Sequence, residues 1–496
     1  MSVSSTAATN VSNALSGLSG YDFSGIVDSL VSVYKLPENQ MITSQTTIQT
    51  TKDAWRDVNT RMSALEATLT GLSDSTTWTA TQATSSNNNL LSATTGINAV
   101  QGVYNIQVIN TAQAQSVTST LQTVSSAAAA TTLAAGTFTI TTGGVAQTVT
   151  VAAGDSLQTI ADSINNAKAG VSATVIQVTS GATVGYKLAI TARQTGTTNA
   201  ASYADITPGS VLATLGIPTG TSPTTYSTTN GGQLAADATL TVNGVSGITS
   251  ATNTVTSVIP GVTLNINGAD NGTTTITLNV TANNSIAQTK IQAFVDQYNS
   301  TMDFIGTKLS YNSDTKVAGD LLGDQTLQGI QERLRGLVSG TFNNPTGPYL
   351  TLSSIGISTS GQDYGKDPTL SFDTSKFATA MADNPQSVAN LFGAAAGGVT
   401  PITATTNTQG LANILENYLH PIVMYGGTLA TKQTNYDSQL TDLKAQITDF
   451  EARATAYQAQ QKQKFSDLET ILEGLNSQGA SLTSAIASLA SQTSTK

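Results

Sequence analysis

Apolar side chains recur every seven residues near the start of this chain, at Met41, Ile48, Trp55, Met62 and Leu69, with Val58, Leu65 and Leu72 at the partner positions. That is an a/d seam, whose first half carries polar d positions, and a helix bearing one needs another helix alongside to bury it. A second seam lies near the other end of the 496 residues. Leu429, Gln433, Tyr436, Leu440, Leu443, Ile447, Phe450, Ala454, Tyr457 and Gln461 step by four and three. The step to Phe465 repeats the four, a stutter that locally unwinds a supercoil, and the series resumes at Leu468, Leu472 and Leu475. At about 1.5 Å per residue, helices over 41–72 and 429–475 would be roughly 48 and 70 Å long. The economical solution pairs the N- and C-terminal helices into a stalk and inserts everything else between them. Heptads do not say whether that pairing is within one chain or between chains.

The intervening sequence changes period. No charged residue occurs from 75 to 154, and Thr, Ser and Ala dominate. Val103–Val108 alternates apolar and polar, as does Phe138–Ile140 among threonines, the pattern of half-buried antiparallel strands. Residues 136–196 read as strand, Gly143-Gly144 turn, strand, helix, strand, strand. The helix opens at Asp155 or Ser156 as N-cap and turns Leu157, Ile160 and Ile164 inward. Alternation returns at Leu240/Val242, Val262/Leu264/Ile266 and Ile276/Leu278/Val280. Helical stripes follow at Ile286, Ile291, Phe294, Val295 and Tyr298, and at Leu327, Ile330, Leu334, Leu337 and Val338. A β-type piece is expected over 349–372, a short helix after Asp373, and a loop over 394–409.

The expected fold class is therefore α+β and multidomain, with paired coiled-coil-like terminal helices and β-rich head domains inserted between them. The expected segments are a terminal piece over 1–40, disordered to about residue 20. It holds a short helix with Ile26, Leu30 and Val33 on one face that Pro37 ends or kinks. A stalk helix and the start of a leg domain follow over 41–98, then a β-rich head over 99–135 and 197–284 with an inserted β/α module at 136–196. A mixed leg domain covers 285–428, the C-terminal coil 429–475, and a flexible tail 476–496.

Composition excludes several kinds of chemistry. There is no cysteine, so neither disulfides nor thiolate sites can form. The lone histidine, His420, cannot build a multi-histidine metal site and is expected at a helix end. A net charge of −10 lacks the basic footprint of nucleic-acid binding. No apolar run reaches membrane-spanning length, so no membrane insertion is expected. Residues 1–34 hold no Lys or Arg, hence no ordinary secretion signal is expected. No catalytic or nucleotide-binding motif is present, so no enzyme and no cofactor is expected. Asp320 and Asp324 are read as capping and solvated groups rather than cation ligands. Asp437, Asp442, Asp449 and Glu451 are read as the wet face of the coil. Trp55 is read as seam packing and Trp78 as an anchor between stalk and head.

Particular strings resemble the flagellar hook-associated protein 2 family. Gly17-Leu18-Ser19-Gly20-Tyr21-Asp22-Phe23-Ser24-Gly25-Ile26-Val27 is similar to its opening, with Tyr21 and Phe23 as departures. Gly102–Val108 resembles its first β motif, and 136–196 the small hook IN module of flagellar axial proteins. Thr241-Val242-Asn243-Gly244-Val245, Asn253–Leu264 and Ile291–Asn299 form the most specific stretch. Leu352–Ile357 followed by Leu370-Ser371-Phe372-Asp373 adds a further match.

The resemblance implies a filament-capping protein at the distal tip of the bacterial flagellum, exported by the flagellar type III system without a cleaved signal. It implies a ring-like homo-oligomer, with a pentamer as the working number, that promotes folding and insertion of flagellin. Implied partners are self, flagellin, hook–filament junction proteins and a cytoplasmic export chaperone. Assembly is expected to rest on the seam residues named above and on the terminal segments. The competing readings are another axial protein, a surface adhesin with a β head on a coiled stalk, and a cell-wall hydrolase.

Overall fold

The structure, a computed structural model, describes residues 23–180, 183–206, 211–220, 230–342, 347–359, 368–393 and 410–493. The expectations for 1–20, for positions 17–22 of the opening string and for the 394–409 loop lie outside them. Two compact units emerge. One runs through Ser73 and resumes at Lys290; the other spans Asp74–Thr289.

Helix α1 (Phe23–Tyr34) is followed after Lys35 by α2 (Leu36–Ser73). α1 ends just short of Pro37, with Lys35 as a one-residue break, and Pro37 sits in the first turn of α2. Backbone bonds from Lys35 N to Val31 O (2.9 Å) and Asn39 N to Lys35 O (3.2 Å) carry the ladder across the junction. The expected inward face of α1 is corrected: Ile26, Leu30 and Val33 are exposed, while Val27 and Val31 are buried.

The second unit opens with the short helix α3 (Ser75–Trp78), capped by Asp74, with Trp78 buried. Its strands are β1 (Thr81–Ser85), β2 (Leu91–Thr95), β3 (Gly102–Asn110), β4 (Ser116–Thr118), β5 (Gly136–Thr142), β6 (Val145–Val151), β7 (Val171–Ser180), β8 (Thr183–Ala192), β9 (Ser202–Asp205), β10 (Ala238–Val242), β11 (Val245–Ser250), β12 (Thr254–Ile259), β13 (Val262–Ile266) and β14 (Ile276–Ala282). Sheets β1-β14-β3-β10-β11 and β12-β13-β2 share one core, with Ile106, Leu240 and Leu278 from the first meeting Leu91, Val262 and Leu264 from the second. Residues 81–95, expected with the stalk, thus belong to the β-rich unit, since β1 pairs with β14 and β2 with β13.

A second core joins sheets β4-β8-β7 and β6-β5-β9 to α4 (Leu157–Asn166) and α5 (Val211–Leu215). Ser156 caps α4, accepting from Thr159 N at 3.1 Å, and Leu157, Ile160 and Ile164 are fully buried. This core is larger than the expected 136–196 module, because Val117, Leu133, Tyr203 and Leu212 also close it.

Turn chemistry explains two of the most specific strings. Asn243 and Gly244 both have positive φ (48° and 81°) and form a two-residue hairpin loop between the paired Val242 and Val245. Gly261 (φ 70°) turns β12 into β13, and a Cβ there would lie 2.6 Å from the Ala99 backbone.

The helical unit continues with α6 (Asn284–Leu309), α7 (Gln325–Val338), α8 (Thr374–Asp383), α9 (Pro385–Phe392), α10 (Leu411–Val423) and α11 (Thr428–Thr493). Ile291, Phe294, Val295 and Tyr298 of α6 are buried, whereas Ile286 of the expected stripe is exposed. Asn299 pins α6 to a short hairpin: its amide donates to Leu370 O (2.8 Å) and accepts from Leu370 N (2.6 Å). That hairpin pairs Ile357–Thr359 with Leu370–Phe372, and Asp373 then caps α8. Among the described residues of 349–372, these strands and a 3-10 turn at Leu352–Ile355 form. The C-terminal coil does not stop at 475. It is one helix of 66 residues through Thr493, so the expected tail is helical over 476–493.

Candidate functional site: the terminal helix pair

The two seams meet within one chain. Lys432 Nζ lies 4.1 Å from the centre of the Trp55 ring, and Lys52 pairs with Asp437. Farther along α11, Tyr34 stacks on Tyr457 (centroids 4.4 Å apart, 9° between planes) and on Phe450 (5.5 Å). Phe23 meets Phe465 at 5.6 Å. Rising numbers on α11 meet falling numbers on α2 and α1, so the pair is antiparallel.

Burial along the seam is graded. On α2, Trp55, Val58, Met62, Leu65, Leu69 and Leu72 are fully buried, while Met41 and Ile48 are half-buried, where the partner positions turn polar. On α11, Leu429, Leu440 and Ile447 are buried, and Tyr436, Leu443, Phe450, Tyr457, Phe465 and Leu472 are half-buried. Leu468 and Leu475 are exposed, at 42% and 57%. Ile471, Leu482 and Ile486 prolong that bare stripe; the side chain of Leu489 lies outside the described set.

Sequence reasoning missed the α1 half of the seam. Phe23, Val27, Val31 and Tyr34 step four, four and three, but Ile26, Leu30 and Val33 compete at similar spacing. It also missed Lys432, which covers the Trp55 ring and gives Nζ to Asp324 Oδ2 at 3.1 Å. Asp324 caps α7 through Thr326 N (2.8 Å) and Leu327 N (3.1 Å), so one carboxylate ties the cap to the seam. Asp320 pairs with Lys308. His420 stands in the last turn of α10, where Met424 N donates to its carbonyl, and its Nδ1 lies 2.8 Å from Glu66 Oε1 on α2.

Among the described residues, no group of three or more His, Asp or Glu side chains is placed to hold a metal, and no helix is long and apolar enough to cross a membrane. An open groove of about 480 Å³ lies between α2 and α6, lined by Arg61, Asp296, Asn299, Ser300, Asp303 and Phe304. Its cation is committed: Arg61 Nη1 donates to Ser300 Oγ at 2.7 Å and the guanidinium lies 4.4 Å from the Phe304 ring centre. The displaced pKa values lie elsewhere. Burial raises the Tyr298 phenol strongly against a smaller opposing pull from Arg335, and raises Tyr418 against Arg333. Tyr349 is raised by burial and by its 2.9 Å bond to Asp383. Asp270 is lowered, chiefly by hydrogen bonding from Thr274.

Fold and site together define a class: multidomain chains whose sequence inserts a β-rich unit between two terminal segments that pair as antiparallel helices, one of which carries an exposed apolar stripe beyond the described contacts. The chain belongs to the flagellar hook-associated protein 2 family. The family's N-terminal model matches residues 19–115 and its C-terminal model 235–477, with the flagellin hook IN motif matching 137–194 between them. The flagellar hook-associated protein 2 of Escherichia coli strain K12 is 31% identical over 478 residues, covering 94% of this chain and 96% of that one. The B-type protein of Pseudomonas aeruginosa is 27% identical over 489 residues, covering 95% and 97%. The crystal structure of the D1-D2-D3 domains of the flagellar cap protein FliD from Escherichia coli matches with a TM-score of 0.59 at 30% identity, covering 77% of this chain and 99% of that one. The reading as a free surface adhesin finds no support in these relatives.

Proposed function

We infer that this chain is a cap protein of the bacterial flagellar filament, working at the distal tip outside the cell. The observation that carries this is the 31% identity along nearly the whole of both chains. Filament growth at a tip needs a body that holds exported subunits while they fold and then gives way. The work is assembly rather than catalysis.

The molecule supplies suitable parts for that work. The near half of the helix pair, closed by Trp55, Leu65 and Tyr34, makes a stiff support. The far stripe on α11 offers Leu468, Ile471, Leu475, Leu482 and Ile486 to other chains. Covering the exposed part of each such side chain is worth roughly 1 kcal/mol, which over the stripe lets copies hold together and still exchange contacts as subunits arrive. On this reading the partners are other copies in a ring-like oligomer of about five, incoming flagellin, the hook–filament junction proteins and an export chaperone. Export runs through the flagellar type III channel without a cleaved signal. Deleting the gene should leave bacteria without filaments and with monomeric flagellin in the medium, and purified protein should restore growth. Normal filaments in the deletion strain would refute the reading.

A further inference from the structure

Strand β7 is ten residues long and pairs on one side only, with β8, in unbroken register from Val171↔Ala192 to Ser180↔Thr183. Even-numbered residues of β8 turn their backbone toward β4, as Ala192 N to Gln115 O (2.8 Å) and the Tyr186–Gln122 bonds (2.9 Å) show. Its odd-numbered residues therefore bond to the even-numbered residues of β7. The N–H and C=O groups of Val171, Ala173, Val175, Gln177 and Thr179 consequently face outward.

The two halves of this edge are treated differently. In the first, Arg193 Nε donates to Val171 O at 2.9 Å. The Asn165 amide copies a neighbouring strand, donating to Ala173 O (2.8 Å) and accepting from Ala173 N (2.9 Å). In the second, Val175, Gln177 and Thr179 keep open backbone groups, Gln177 and Thr179 are exposed, and Ile176 stands 46% exposed beside them. Soluble proteins usually blunt such an edge with Lys, Pro or a bulge. Here the strand Val-Ser-Ala-Thr-Val-Ile-Gln-Val-Thr-Ser has no charge and no proline, and its pairing shows no register shift.

We propose that the open half of β7, Val175–Thr179, is a self-complementary docking edge that pairs antiparallel with the same segment of a second copy of this chain. A two-fold axis at Gln177 sets Gln177 against Gln177 and Val175 against Thr179 of the second copy. All open groups are then satisfied in about six hydrogen bonds. The same register places Ile176 across from Val178 of the second copy, covering an exposed β-branched side chain with another. No like charges meet. Asn165 fixes the register by blocking any slide toward Ala173. A foreign strand would find the same hydrogen bonds but no charge or pocket to select it, whereas a second copy matches the open length and its centre. Five residues a side fall well short of the roughly 20–30 of a stable free dimer, so this contact acts where copies are already concentrated. It rests on the cap reading for that concentration alone, and cross-linking reads the edge itself.

The chain has no cysteine, so Gln177→Cys is a clean reporter in the full-length protein. Directly opposed residues of such a pair have Cα atoms about 5.5 Å apart, within disulfide reach. Under mild oxidation Gln177→Cys should form covalent dimers roughly ten-fold faster than Thr174→Cys, an exposed position on the same strand with no like partner in this register. A mixture of Val175→Cys and Thr179→Cys chains should cross-link faster than either alone. Ile176→Lys added to Gln177→Cys should return the rate to that of Thr174→Cys, with an unchanged circular dichroism melt showing that the fold survives. Equal rates for Gln177→Cys and Thr174→Cys, or indifference to Ile176→Lys, would overturn the proposal.

Discussion

The near and far halves of α11 carry the same kind of stripe and meet opposite fates. From Leu429 to Tyr457 the stripe lies against α2 and α1, with Leu440, Ile447 and Ala454 buried and Tyr457 stacked on Tyr34. From Leu468 to Ile486 its members are mostly exposed. Periodicity says that a residue wants a neighbour and says nothing about who the neighbour is. In the first half the neighbour is this chain, so the stripe stabilises the fold; in the second it is free to be another chain.

That contrast can be broken by substitution. Trp55→Ala removes a fully buried ring beneath Lys432 and should cost about 3–5 kcal/mol, read as a lowered denaturant midpoint. A loss under about 1 kcal/mol would show that the near seam is not core. Lys432→Met keeps the stem over Trp55 but removes the cation that serves both the ring and Asp324, and should cost about 1–2 kcal/mol. Equal stability would mean that the ammonium does not couple seam and cap.

Tyr298 tests the core away from the seam. Its hydroxyl is buried with no hydrogen-bond partner, and burial raises its pKa above the ordinary 10.0. A raised folded value means that its contribution is complete below pH 10 and is lost as pH climbs beyond it. Tyr298→Phe should therefore melt no lower than the parent at neutral pH, gaining about 1 kcal/mol, and should lose less stability above pH 10. An unchanged alkaline profile would assign that loss to other groups. The smallest effect on stability belongs to the far half, where Leu475→Glu with Leu482→Glu should shift the melt by less than about 0.5 kcal/mol and yet abolish filament restoration.

Much of this was legible in sequence. Both seams, the Ser156 cap and the strands from Val103 to Val280 are local patterns, and local patterns survive folding. Non-local facts were not legible. Sequence cannot reveal that the partners of β1 and β2 lie roughly 170 to 200 residues on, so residues 81–95 group with the stalk when read locally. The buried face of α1 is not legible because Val27 and Val31 are no more apolar than Ile26 and Leu30, and only the position of α11 chooses between them. Small polar residues after 475 concealed a helix whose continuity comes from the long element preceding it. Asp324 carried a legible cap, but its bond to Lys432 joins positions 108 apart.

The most direct measurement is add-back of protein lacking residues 476–496 to a strain deleted for the gene. The account predicts a melt matching full-length protein, flagellin lost to the medium and no filament growth under the electron microscope. Filaments that grow as they do with the intact chain would contradict it.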